Sequence, residues 1–178
     1  MRIIAGDKKG RKLKVPGGTV TRPTPENVKE AVFNIIQFQI ENRSFLDLFA
    51  GSGQIGIEAL SRGASEVVFV EEDKQAAKVI KDNLEKCGLK AQLFRENAFL
   101  FLSRGRSFDI IYLDPPFMSD YINKSIEIIQ NLDNLNENGI IICESSKNAN
   151  IRFDEKKYTL AKQKKYGSKM ISILKKSQ

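Results

Sequence analysis

Five short apolar runs, at 44–49, 66–70, 91–95, 108–113 and 139–144, alternate with helical patterns at 54–62, 73–87, 97–103 and 119–132. This alternation constrains the chain most, because short strands separated by helices of that length predict a parallel sheet covered on both faces. The predicted class is therefore α/β. Ahead of the alternation, Val28, Ala31, Val32, Ile35 and Ile36 recur at helical spacing, so a helix is expected over 25–41, with Thr24 as its cap and Pro25 at its first position. Gly63 and Gly88 follow two of the later helices as left-handed stops. A small hairpin is expected where Ile3-Ile4-Ala5 and Lys12-Leu13-Lys14-Val15 flank the basic turn Gly6-Asp7-Lys8-Lys9-Gly10-Arg11. A second, closing hairpin is expected from 158–163 and 170–174. At 178 residues, the whole is read as one domain.

Two strand ends carry chemistry. The run Ile110-Ile111-Tyr112-Leu113 is followed by Asp114-Pro115-Pro116-Phe117. Two successive prolines continue neither a ladder nor a helix, so the chain leaves the sheet in one rigid, extended shape. It does so at the carboxyl edge, where open α/β sheets bind ligands. A carboxylate, carbonyls with no competing N–H and an aromatic face suit a planar amine; the plainer reading is a strand-end turn with a polar cap. Earlier, Phe45-Leu46-Asp47-Leu48-Phe49-Ala50-Gly51-Ser52-Gly53-Gln54-Ile55-Gly56 is a strand entering a glycine loop and then a helix. Its glycines permit a tight turn and close approach of a ligand to N–H groups at the helix start. The spacing fits several cofactors, nicotinamide dinucleotides included. Glu71 ends the next strand where an acid would bind a ribose diol, with Asp73 read as a helix cap. Asn97-Ala98, after the third strand, is placed to meet a base edge or to cap a helix.

Composition narrows the chemistry. There is no histidine, and Cys87 and Cys143 stand in no metal-binding spacing, so no metal site and a reduced, cytoplasmic setting are expected. No apolar stretch approaches the ~20 residues of a membrane span, and the first residues carry no signal pattern. The net charge of +7 is unevenly spread: residues 1–30 hold eight Lys/Arg against three acids and 151–178 hold nine against two, leaving an acidic centre between basic flanks. Such flanks suit nucleic acid.

Asp47-Leu48-Phe49-Ala50-Gly51-Ser52-Gly53, Glu71 and Asp114-Pro115-Pro116-Phe117 together resemble the class I S-adenosylmethionine-dependent amino methyltransferases. Met1-Arg2-Ile3-Ile4-Ala5-Gly6, Lys9-Gly10-Arg11, Thr21-Arg22-Pro23-Thr24 with Lys29-Glu30-Ala31-Val32-Phe33-Asn34-Ile35, and Glu58-Ala59-Leu60-Ser61-Arg62-Gly63-Ala64 narrow the resemblance to the RsmD family. Those enzymes methylate the exocyclic N2 of a guanine in small-subunit (16S) ribosomal RNA. The resemblance implies a Rossmann-like class I methyltransferase fold: a mostly parallel seven-stranded sheet with helices on both faces and a C-terminal antiparallel hairpin. Residues 25–178 would form the catalytic core and 1–24 a basic extension. It further implies Asp47, Phe49, Ala50, Gly51, Ser52, Gly53, Glu71, Asn97 and Ala98 around S-adenosylmethionine, and Asp114, Pro115, Pro116 and Phe117 on the guanine. Lys8, Lys9, Arg11, Lys12, Arg22 and Thr24 would meet RNA, with a monomer acting on an assembling small-subunit particle. Tyr166-Gly167-Ser168-Lys169 departs from the family pattern, holding Ser-Lys in place of Asp-Thr. The competing readings are a DNA adenine-N6 or cytosine-N4 methyltransferase, a nicotinamide-dependent oxidoreductase and a non-catalytic RNA-binding assembly factor.

Overall fold

The computed structural model describes residues 1–17, 24–116 and 120–177. Seven strands form one sheet: β1 (Ser44–Asp47), β2 (Glu66–Val70), β3 (Gln92–Phe94), β4 (Phe108–Leu113), β5 (Leu135–Ser146), β6 (Tyr158–Tyr166) and β7 (Lys169–Lys176). Their order is β3-β2-β1-β4-β5-β7-β6, and β7 alone runs opposite to the other six. The helices are α1 (Glu26–Ile35), α2 (Gln54–Ser61), α3 (Lys74–Cys87), α4 (Ala98–Leu102) and α5 (Tyr121–Leu132).

The continuous apolar runs feed two cores, because successive strand residues point to opposite faces. Phe45, Val67, Phe69, Ile110, Tyr112, Ile140 and Ile142 pack on one side with Val32 and Phe33 of α1, Ile57 of α2 and Ile80 of α3. Leu46, Val68, Val70, Ile111, Leu113, Ile141 and Cys143 pack on the other with Phe101 of α4 and with Ile126 and Ile129 of α5. Gly56 lets α2 lie close against β2, since a Cβ there would stand 2.3 Å from the Phe69 ring.

Several expectations are corrected in detail. Helix α1 stops at Ile35 rather than at 41, although Ile36 and Ile40 beyond it stay buried, so helical spacing persists as burial through a turn. Pro25, not Thr24, holds the cap position, and no side chain caps the helix. Strand β5 begins earlier than 139, and its pairing shifts register between Phe108 and Ile110 of β4. The first hairpin is present but short: Arg2 bridges Lys12, the Ile3 N–H donates to Arg11 O at 3.0 Å and the Leu13 N–H to Met1 O at 3.1 Å. Between them, the N–H groups of Ile4 and Ala5 donate to the Glu58 carboxylate at 2.8 and 3.0 Å instead of crossing to a partner strand.

Candidate active site

The chain leaves β1 toward β2 and leaves β4 toward β5, in opposite directions, so the sheet's switch point lies between β1 and β4. Beyond the carboxyl ends of those strands opens a cleft of about 680 Å³, within the range of ligand sites. The glycine loop through Phe49, Ala50, Gly51 and Ser52, Glu71, Asn97-Ala98 and Asp114-Pro115-Pro116 all line it; Gly53 faces Ile80 of α3 instead.

Each side chain there is held by backbone geometry. Gly51 and Gly53 have φ of +54° and +76°, the left-handed region that a side chain disfavours. Asp47 is buried, and its Oδ2 accepts the Gly56 N–H at 2.9 Å, tying the strand end to α2. Glu71 accepts the Gly51 N–H at 2.7 Å through Oε2 and the Asp73 N–H at 2.8 Å through Oε1, so each oxygen keeps acceptor capacity toward the cleft. Burial pushes the Glu71 carboxyl up against those stabilising N–H groups. Burial raises Asp47 further, to about 7, with the Asp114 and Glu71 charges adding. Asp73 caps α3 as expected, accepting from Ala76 N at 2.8 Å. Asn97 caps α4 through Oδ1, which accepts the Phe99 and Leu100 N–H groups, and it also lines the cleft.

Asp114 leaves β4 beside Thr24, whose Oγ1 donates to Oδ2 over a long 3.4 Å. Thr24 thus serves the cleft wall instead of α1. The Asp114 carboxyl is pushed up to about 7, chiefly by burial and then by Glu144, while Lys169 pulls it down. Glu144 and Lys169 were missed in the sequence, as was Tyr112, whose phenol donates to Glu144 Oε2. Glu144 ends a predicted apolar run next to the strand that delivers Asp114, a pairing of strand-final acids that could have flagged it. Gln54 is a further miss: it is buried in the cleft wall, and its Oε1 has no partner among the described residues. Three acids, an orphaned buried acceptor and side-chain-free loop positions fit a ligand with a cationic centre and a diol, which is the chemistry of S-adenosylmethionine. Phe49, Phe99 and Tyr121 form an apolar wall, with Phe49 and Tyr121 stacked at 6.1 Å. Phe117 and Arg22 lie outside the described residues.

The amino-terminal extension brings Thr24 to the cleft wall but not Lys8, Lys9, Arg11 or Lys12. Its tip docks at the far end of α2, where Asp7 N donates to Ser61 O at 2.8 Å and Lys8 N to Ser61 Oγ at 3.0 Å. Arg11 and Lys12 meet the last turn of α3, through Lys86 O and Lys86 Nζ respectively. Both helices start at the cleft, so Lys8, Lys9, Arg11 and Lys12 gather at the opposite edge of the sheet. The β6–β7 turn is placed otherwise: Ser146 pairs with Lys169, which brings Lys147, Lys164 and Lys165 to the cleft edge, all exposed.

Known proteins share both sequence and shape with this chain. The family model described as conserved hypothetical protein 95 matches residues 1–175. The Ribosomal RNA small subunit methyltransferase D of Haemophilus influenzae is 38% identical over 173 residues, covering 94% of this chain and 89% of that one. The solved yhhF chain of Escherichia coli superposes with a TM-score of 0.88 at 31% identity, covering 99% of this chain and 98% of that one. A T. thermophilus 16S rRNA N2 methyltransferase, RsmC, solved with AdoMet and guanosine, shares the fold at a TM-score of 0.67 and 23% identity, over 88% of this chain and 44% of that one.

Proposed function

The chain belongs to the RsmD family, and from that membership and the cleft we propose that it methylates the exocyclic N2 of a guanine in small-subunit ribosomal RNA. The observation that carries this reading is a carboxylate on a rigid Asp-Pro-Pro turn, opening into the same cleft as the glycine loop and Glu71. S-adenosylmethionine, when bound, supplies an electrophilic methyl group. The protein's part is to hold its two partners in line. Glu71 takes the ribose hydroxyls, Asn97 and Ala98 border the adenine, and Asp47, Phe49, Ala50, Gly51, Ser52 and Gly53 enclose the methionine end, with Gln54 Oε1 open to its ammonium.

Guanine's N2 is a weak nucleophile because its lone pair is delocalised into the ring. Asp114 Oδ2 and the Asp114 carbonyl accept its N–H groups, favouring a pyramidal nitrogen with the lone pair directed outward. Pro115 and Pro116 offer no N–H in competition. As positive charge grows on the nitrogen, the adjacent carboxylate stabilises it. The proton then released passes to Asp114, whose raised pKa suits a general base. Swinging the guanine out of its helix costs a few kcal/mol, and stacking on Phe117 returns ~1–3 kcal/mol. The acting form is a cytoplasmic monomer, and its substrate is the RNA within an assembling small-subunit particle.

The test is transfer of labelled methyl from S-adenosylmethionine to small-subunit RNA, to assembling particles and to duplex DNA, followed by nucleoside analysis. N2-methylguanosine from RNA or particles is expected; label confined to DNA adenine or cytosine would overturn the assignment. Phosphate contacts should centre on the β6–β7 end. Charge reversal at Lys164 and Lys165 is expected to weaken RNA binding and reduce the salt slope by about 2, more than reversal at Lys9 and Arg11 does. Filter binding across a salt series checks this, and an unchanged slope would place the RNA elsewhere.

A further inference from the structure

Asp114 shares its strand end with charged side chains that have no part in apolar packing. Glu144 is 1% exposed on β5, on the same face as Ile142 and Tyr112. Lys169, the first residue of β7, sets its ammonium 2.6 Å from Glu144 Oε1 and 3.6 Å from Asp114 Oδ1. Its own side chain is 15% exposed. The antiparallel ladder explains the meeting: Lys169 pairs with Ser146, two residues past Glu144, so both side chains stand on one face as diagonal neighbours. The Tyr112 phenol, which burial and the Glu144 charge push far above its ordinary pKa, stays neutral and fixes the other Glu144 oxygen.

We propose that Lys169 is a positioning residue for the transfer, anchored on Glu144 and set against Oδ1 of Asp114 so that Oδ2 stays turned to the nucleobase amine. This rests on Asp114 being the amine's acceptor. The two Asp114 oxygens are visibly unequal. Oδ1 faces an ammonium, whereas among the described residues Oδ2 has only the long Thr24 contact, which an incoming N–H can replace.

The charge balance points the same way. Groups facing Asp114 are Asp47 from β1, Tyr112 from its own strand, Glu144 from β5, Lys169 from β7 and the uncharged Thr24. Asp47 and Glu144 favour a proton on Asp114, and among the described residues Lys169 is the cation that opposes them. Without Lys169, Asp114 would carry a proton through neutral pH, losing an acceptor and the charge that stabilises the developing cation. Glu144 serves as the fixed seat that keeps the flexible lysine stem in one place, since a buried carboxylate beside a cation resists leaving its pair.

The experiment is a carbon-13 titration of the Asp114 carboxyl in the full chain, with the pH dependence of methyl transfer measured in parallel. Lys169→Met should raise the Asp114 midpoint by about 1 unit or more, and the acidic limb of the rate should follow it. Glu144→Gln removes a like charge and should move both downward. Lys169→Arg should hold the midpoint near the native value. Adenosylhomocysteine affinity, unchanged in each variant, reports a folded cofactor site. A midpoint that stays put in Lys169→Met or Glu144→Gln, or a rate limb that ignores it, overturns the proposal; should Lys169→Met not fold, Glu144→Gln decides alone. Midpoints that move as expected in a protein that methylates no guanine would instead overturn the substrate reading and leave the Lys169–Asp114 pairing standing.

Discussion

Replacing Asp114 with alanine is expected to slow methyl transfer on the order of 10²–10³-fold, the scale seen when one preorganised charge-stabilising contact is removed. Affinity for adenosylhomocysteine should be retained, because the glycine loop and Glu71 hold their geometry through Gly51, Gly56 and Asp73, not through Asp114. Single-turnover kinetics beside calorimetry separates the two effects. The pH profile sharpens the expectation. The active species is the carboxylate, and burial lifts the Asp114 pKa to about 7. Native transfer should therefore be slow below that pH and climb to a plateau above it. Asp114→Asn keeps the shape and one acceptor but should lose both the rate and that limb. A native rate that falls across this range would contradict the role given to the carboxylate.

Glu58→Ala should cost about 3–5 kcal/mol of stability, the range for removing one partner of a buried ion pair. Glu58 and Lys29 are both fully buried, 3.5 Å apart, and Arg62 Nε adds a 2.8 Å contact. The same carboxylate takes the Ile4 and Ala5 N–H groups, so its loss orphans two backbone donors as well. Lys29 would keep the Arg2 carbonyl at 2.6 Å but lose its buried partner carboxylate, leaving only the weaker pull of Glu26, and burial already lowers its pKa. Urea unfolding measures the loss. A cost below about 1 kcal/mol, as for exposed pairs, would mean that the amino-terminal strap docks by other means.

The sheet was legible because its residues satisfy two faces at once: Phe45 and Leu46 are both apolar since each enters a different core. The carboxyl-edge site was legible for a related reason. Glycines with positive φ, a strand-final acid and a double proline are local devices whose meaning does not depend on distant partners. What stayed hidden depends on pairing. From its spacing Thr24 reads as a helix cap, and the resemblance alone sets it near the substrate, until Asp114 draws its hydroxyl aside. Lys169 reads as one more surface cation until β7 brings it back against β5. The basic tip near Gly6 reads as a ligand-facing hairpin, yet a Cβ on Gly6 would stand 1.6 Å from Ser61 O, which shows how closely the loop is pressed against the end of α2.

The insertion of β7 between β5 and β6 has a consequence for how the protein is made. Synthesis delivers the glycine loop, Glu71 and Asp114 early, and all five parallel strands up to β5 exist before Lys169 leaves the ribosome. Until then Glu144 faces an open sheet edge with no ammonium beside it. A nascent chain can thus assemble its nucleoside-binding half first, while the acid edge becomes competent only when the final strand slides into its slot.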